Sequence, residues 1–436
     1  MGMIFLWAGV ASLPGAASLE VRLEELAEQN RRLQEQIKGQ QQQIEELRGM
    51  VGGLNQSGVR QERELKELRT HVADEAGPAV ATRAKAAARD VRLSGEFGVG
   101  FFRSGSAGAV PNSEFRVDDA KVFVEAAVMK NVYVFAGLEL VTREASDEYF
   151  HVGELYADFE NVADFFGGKG TLNFRAGRFA IPFGEEYQRR NMLDNPLVSH
   201  SLSDIWGIDE GVEIFGTLDR FSYVLAVQNG GHKTLRDFNS DKAVIGRIGW
   251  DPLAWLHVSA SAMRTGDLTQ AGDVFSEVWL GNGFFRALGP AATTTTFSAS
   301  LFELAGEARW NGGAVRALAG RARFDDNDRV TDNARRLDFF SIEAEQRLTG
   351  KWYGAARLSE IRVPGGYPLV GQGDFGTYVF RSPLTRDLRR FSLGLGYRFG
   401  PSLVWKGEYG FERGHLVTGA RRDLEDQLST EIAMRF

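Results

Sequence analysis

The chain has 436 residues, a formal net charge of −7 and no cysteine. An acidic balance removes the Lys/Arg excess that nucleic-acid binding needs, and the lack of thiols excludes a disulfide framework and thiolate metal sites. No run of about twenty apolar residues exists, so no spanning helix is expected; 31 Phe and 51 Gly against 11 Pro instead fit strands whose apolar/polar alternation averages out.

Residues 1–18 read as a signal peptide. Met3–Val10 is a short apolar core, Pro14-Gly15 breaks it, and Ala16-Ala17-Ser18 offers small residues for cleavage. From Leu19 a 4-3 apolar spacing begins and holds its phase: Leu19, Leu23, Leu26, Asn30, Leu33, Ile37, Gln40, Ile44, Leu47, Val51, Leu54, then Leu65, Leu68 and Val72. This sustained heptad predicts an α-helical coiled coil over 19–72, left-handed and roughly 80 Å long. Branched residues at a with Leu at d favour two strands. Asn30 and Gln40 in the seam also occur in three-stranded coils, so the stoichiometry stays open. Gly77-Pro78 ends the pattern, and 73–92 is a linker.

From residue 93 onward the grammar changes to period 2. Sixteen strands are predicted, centred on 93–103, 115–128, 131–142, 150–160, 171–180, 209–217, 220–229, 242–250, 254–265, 297–310, 313–324, 335–348, 351–363, 388–399, 401–413 and 426–436. The links alternate in length. Short ones fall at Lys130, Leu218-Asp219, Asp251-Pro252, Gly312, Thr349-Gly350 and Gly400, with 161–170 the longer member of that set. Long ones fall at 104–114, 143–149, 181–208, 230–241, 266–296, 325–334, 364–387 and 414–425. Short turns at one end and long loops at the other are the arrangement of a 16-stranded antiparallel transmembrane β-barrel, here 93–436. Trp250, Trp255, Trp310, Trp352, Tyr397 and Trp405 lie near strand ends, where interfacial girdles form. The last strand closes on Leu428, Thr430, Ile432, Met434 and Phe436, all of one parity.

One parity collects charge of both signs. Its acids include Asp119, Glu125, Glu139, Glu154, Asp158, Glu303, Glu307, Glu343, Glu345, Glu408, Glu412 and Glu431. Its bases include Lys121, Arg175, Arg247, Arg309, Arg347, Arg357, Arg398, Lys406 and Arg435. A water-filled lumen holds such a set at low cost, and sixteen strands leave the lumen open. Lys121, Glu154, Arg175, Arg357 and Arg398 are candidate pore-lining residues. The long connection 181–208 mixes Glu185, Glu186, Asp194 and Asp204 with Arg189, Arg190 and His200. Folded inward, it would narrow the pore, and Glu186, Arg189 and Arg190 are the candidate constriction residues, setting a transverse field. Whether 266–296 plugs the mouth is left open.

Motifs of catalysis are missing: no G-x-S-x-G elbow, P-loop or helix-opening G-x-G-x-x-G occurs. Six scattered histidines show no ligand spacing, so neither metal nor cofactor is expected. Ser199-His200-Ser201 is the one local Ser/His group. The chain is expected not to be an enzyme.

Phe174-Arg175-Ala176-Gly177-Arg178-Phe179 with Pro182-Phe183-Gly184, then Glu210-Gly211-Val212-Glu213-Ile214-Phe215-Gly216 followed by 223–229, resemble the phosphate-selective porin O and P family over about 93–436. The resemblance implies a homotrimeric sixteen-stranded channel in the bacterial outer membrane, with anion or phosphate selectivity. The residues themselves, acids matching or outnumbering bases, point to passive diffusion of small hydrophilic solutes and ions. The expected partners are outer-membrane lipid and those solutes. A coiled coil in the periplasm adds a further reading, a structural tether to the cell wall through peptidoglycan contact. No nucleic acid is expected.

Overall fold

The computed structural model describes residues 91–108, 110–142, 148–163, 172–189, 191–205, 207–230, 240–269, 294–328, 330, 333–367 and 384–436. The expected signal peptide, coiled coil and most of the linker lie outside the described residues, as do Arg190 and the middle of 266–296.

The described strands are β1 (Val91–Ser104), β2 (Glu114–Met129), β3 (Val132–Thr142), β4 (Glu148–Phe159), β5 (Asn173–Ala180), β6 (Ile208–Leu218), β7 (Phe221–Gln228), β8 (Ala243–Leu253), β9 (Leu256–Thr269), β10 (Thr296–Trp310), β11 (Gly313–Asp326), β12 (Arg335–Thr349), β13 (Trp352–Tyr367), β14 (Thr385–Gly400), β15 (Leu403–Leu416), β16 (Arg421–Arg422) and β17 (Gln427–Arg435). β16 is a two-residue extension of the ladder on β15, so the wall has sixteen staves. Each stave pairs antiparallel with its neighbour, and β17 returns to β1 in a register running from Glu96↔Arg435 to Ser104↔Gln427. Closure leaves no open sheet edge, the condition for a sheet surrounded by lipid.

Short two-residue turns join every second pair where both flanks are described. Asn131, Asp219, Gly312 and Gly350 take positive φ there, the backbone that matches the twist of a tight hairpin. Two expected turns are displaced: Gly400 ends β14 and its turn falls at Pro401-Ser402, and the second shift is larger. Asp251-Pro252 lies inside β8, and the turn falls at Ala254-Trp255. The ladder is already irregular between Trp250 and Leu253, so the proline removes no regular hydrogen bond.

The outer face is apolar and exposed: Ile214, Leu225, Ile248, Leu304, Leu393 and Ile432 are typical. Trp250, Trp255, Trp310 and Trp352 are exposed at the short-turn end. Trp250 stacks on Phe221 at 5.9 Å, and Trp352 meets Tyr397 at 5.0 Å and Trp405 at 6.1 Å. Aromatic rings gathered at one level make the expected girdle.

The inner face departs from a uniformly wet lumen. Toward the long connections, Phe179, Phe297, Phe324, Leu337, Ile361 and Leu388 point inward and are buried, together with Ile181, Phe183, Leu202 and Ile205 of the connection after β5. Their parity is that of the charged positions nearer the short turns. The interior therefore has two levels, an apolar packed one and a charged one. A stretch of protein laid across the lumen explains the dry level, because only protein can cover apolar groups there.

Candidate functional site

The connection 181–207 leaves β5 and folds into the barrel. It forms little regular structure, so its backbone N–H and C=O groups need partners from the wall. At its start, Ala180 N–H donates to Glu154 at 2.9 Å and Ile181 N–H donates to Gly207 C=O at 2.8 Å. Gly184, at φ +77°, turns the chain. Its N–H donates to Ser261 Oγ at 3.1 Å, and the next N–H, of Glu185, donates to Glu303 at 3.0 Å. A short 3-10 turn, Glu186–Arg189, follows, and Arg189 reaches Glu307 of β10 at 2.9 Å.

The middle of the connection lies on β13–β17. Glu408 of β15 accepts from Val198 N–H, Ser199 N–H and Ser199 Oγ–H at 2.8, 2.7 and 2.6 Å. Lys406 donates to the carbonyls of Met192 and Leu197 at 2.9 and 3.0 Å. Arg357 donates to Ser199 C=O at 2.6 Å and to Asn195 Oδ1 at 2.7 Å. Arg390 donates to His200 C=O, Arg398 to Leu193 C=O, and Tyr353 O–H to Pro196 C=O, each at 3.0–3.2 Å. The bases that hold these carbonyls are held in turn by buried carboxylates: Lys406 by Glu431 at 2.7 Å, Arg390 by Glu412 at 2.5 Å, Arg357 by Glu343. A buried charge needs both a counter-ion and hydrogen-bond partners; the connection supplies carbonyl acceptors to all three bases.

The connection also folds on itself. Glu186 accepts from Ser201 N–H at 2.9 Å and from Ser201 Oγ–H at 2.5 Å. Burial pushes the Tyr187 phenol up to about 12, against the opposing pull of Arg247, so its hydroxyl remains protonated across the physiological range.

Between the connection and β10–β13 lies a cleft open to solvent. Its lining includes the acids Glu185, Glu186, Asp194, Glu307 and Glu343 and the bases Arg189, Arg316 and Arg357, with His200 and His257. Glu307 takes Arg189, Arg309 and Arg316 at once, and Arg316 continues to Glu343 at 2.8 Å. The lining is a chain of alternating charges, which orients water and polar solutes without a large net potential.

Of the residues singled out from sequence, Glu186, Arg189 and Arg357 line this cleft, and Arg398 anchors the connection beside it. Lys121 and Arg175 sit on β2 and β5, apart from the cleft lining. Lys121 pairs with Asp119 at 2.8 Å, and Arg175 pairs with Asp158 at 2.7 Å beneath the Tyr156 ring at 4.1 Å. Glu154 serves the exit of β5. Arg190 lies outside the described residues. The anchors Lys406, Glu408, Arg390 and Tyr353 were not singled out. Inward parity marks Lys406 and Glu408 in the sequence, but which wall a connection lies on depends on its tertiary path.

Glu186, His200 and Asp204 bring ligand atoms within 4.8 Å of one another, a grouping that sequence spacing hides. One imidazole and two carboxylates have the chemistry to take a divalent transition ion, although Glu186 is already satisfied by Ser201. Ser199 and Ser201 direct their hydroxyls to Glu408 and Glu186, so neither is paired as a nucleophile with His200.

No protein-family model matches the chain, and no curated protein does. Solved structures do. The outer membrane channel DcaP of Acinetobacter baumannii is similar with a TM-score of 0.55 and 10% identity, over 80% of this chain and 97% of that one. A loop L8 deletion mutant of OmpT, an outer membrane protein of Vibrio cholerae, gives 0.52 and 14%, over 80% and 100%. OmpT in its trimer form gives 0.50 and 14%, over the same shares. At these identities the likeness is one of fold: the described chain is a closed sixteen-stranded antiparallel β-barrel of the kind that outer-membrane channel proteins have.

Proposed function

We propose that the protein is a passive diffusion channel of the bacterial outer membrane, passing small hydrophilic solutes and ions past the connection 181–207. The observation that carries this reading is the cleft between that connection and β10–β13, lined by paired charges of both signs. A lining of that kind favours uncharged polar solutes and zwitterions, with weak ion preference. Anion or phosphate selectivity, which the family resemblance implies, is the less favoured reading. Arg175, Arg189, Arg316 and Arg357 are each committed to a carboxylate, which leaves less basic charge to offer a permeating anion. A homotrimer is part of the proposal, in line with the trimer form of OmpT. A tether role for the heptad stretch 19–72 is a separate proposal. It predicts that deleting 19–72 detaches the envelope and leaves conductance unchanged.

The test is a salt-gradient reversal potential on purified protein in planar bilayers. The wild type should conduct with a small reversal potential. Arg189→Glu, which sets a second carboxylate beside Glu307, should move the potential toward cation preference. Closed membranes with correctly folded protein would remove the channel reading.

A further inference from the structure

The outer wall is apolar over most of its area, with isolated exposed arginines at Arg103 on β1 and Arg264 on β9, and in one region its charge is gathered into rows. On β11–β15, toward the long connections, the outward parity turns from apolar to charged. The register places Arg321, Asp338, Arg362, Asp387 and His415 side by side in one cross-strand row. The next row toward the short turns holds Glu360, Arg389 and Arg413, beneath which Phe391, Leu393 and Phe411 resume the apolar band.

The acids in these rows hold the arginines in place. Glu360, with only 4% of its side chain exposed, accepts from both Arg362 and Arg389. Asp338 takes Arg321 and Arg336, and Asp426 takes Arg413. The five guanidinium side chains nevertheless remain 51–62% exposed. Asp387, paired with Arg386 and His415, is a fourth carboxylate beside them, so six arginines face four carboxylates and an excess of positive charge is left directed outward. A guanidinium carries five N–H donors, and each pairing uses one or two of them. The remainder form a rigid, multidentate face suited to phosphate oxygens.

Height decides what that face meets. From the girdle residue Trp352 up β13 to Glu360 is about 20 Å along the barrel axis at normal strand rise and tilt, against an apolar band about 25 Å tall. The arginines therefore stand at the upper edge of the band, where lipid headgroups begin. An arginine projecting into hydrocarbon is strongly disfavoured, whereas one at the headgroup level meets anionic oxygens.

We infer that the outward arginine rows of β11–β15 form a binding surface for a phosphorylated glycolipid of the outer leaflet, Arg362 and Arg389 at its centre. This rests on the outer-membrane reading above, with the long connections facing outward. The test reads lipid binding separately from conductance. Detergent-solubilised full-length protein is titrated with a glycolipid bearing two phosphates and with its enzymatically dephosphorylated form, and bound lipid is counted by native mass spectrometry. The phosphorylated form should bind at least about tenfold more tightly. Arg362→Gln with Arg389→Gln should lose that advantage, and the Lys pair should recover only part of it, keeping charge without the fork. Arg336→Gln with Arg413→Gln gives a second variant if the first does not fold, with the same loss expected. Equal affinity for the two lipid forms, or a folded Gln variant that keeps the full preference, would overturn the inference. So would a Gln variant that dissociates from oligomer to monomer with lipid binding unchanged, since the face would then be a subunit contact. Conductance without phosphate preference sinks this surface alone; phosphate preference without conductance sinks only the channel.

Discussion

Lys406 shows how one residue joins the wall to what lies across the lumen. Its ammonium is almost wholly buried, paired with Glu431 at 2.7 Å, and donates to two carbonyls of the connection 181–207. Removing one partner of such a pair leaves the other buried without compensation, at a cost of about 3–5 kcal/mol. Lys406→Met should therefore lower the temperature at which the heat-modifiable gel band shifts, and should also release Met192 and Leu197 from the wall, giving larger and noisier single-channel currents. Adding Glu431→Leu should restore much of the stability, because two well-packed apolar groups can replace a buried pair, but not the quiet current, because the carbonyls still lack their donor. A double variant that restored both would show that Lys406 acts on the barrel alone. The inner-wall glycines make a related point. A Cβ on Gly394 would stand 2.3 Å from Leu197, and one on Gly98 would stand 2.2 Å from the Met192 sulfur. The sequence displays these glycines as the small members of an alternating pattern. That they are recesses receiving side chains of a distant connection becomes visible only in three dimensions.

Among the elements, strands were far more legible than the connection. Each strand is defined by its own alternation and by turn residues within a few positions, so its limits follow from local chemistry. The slip at Asp251-Pro252 arose because a proline at a broken ladder looks the same in sequence as a proline in a turn. The dry contacts of the connection were not legible, because Phe179, Phe297 and Phe324 share the lumen parity with charged residues and would read as lipid-facing on hydrophobicity alone. The charged rows on the outer face are hidden for a related reason: Arg321, Asp338, Arg362, Arg389 and Arg413 share the parity of the apolar residues on their own strands, and only the cross-strand register brings them together. If the connection occupies the lumen as described, replacing residues 186–201 by a short Gly/Ser link should raise single-channel conductance several-fold. The staves are paired independently of that segment, so β content by circular dichroism should hold. Unfolding should nonetheless occur at lower temperature, since Leu202 and Ile205 would lose their fixed approach to the apolar level and Glu408 would lose three donors. Unchanged conductance would mean that the permeation path avoids this segment.

At the scale of the whole barrel, nearly every ladder joins strands adjacent in sequence, and one seam does not. β1 meets β17 across more than three hundred residues, so closing it brings the largest loop-closure cost, and that cost must be met by the seam's own contacts. Those contacts are specific. Gly95 and Phe436 exchange two backbone hydrogen bonds at 3.1 Å, Arg435 reaches Glu96 at 2.6 Å, and the Phe436 ring occupies the space where a Cβ on Gly95 would stand. Closure is also what removes the two open edges that lipid cannot satisfy. Deleting Phe436 should thus act mainly on assembly: slower appearance of the compact gel form during refolding into vesicles, and longer sensitivity of β1 to added protease. Once closed, the variant should conduct like the wild type, since Phe436 faces outward, away from the cleft. The Gly95→Ala variant is a harsher check of the same seam, because its methyl meets both the Phe436 ring and, at 2.7 Å, the Lys121 backbone carbonyl of β2. If both variants closed at the wild-type rate, the barrel would be zipped by its hairpins alone and the terminal seam would be passive.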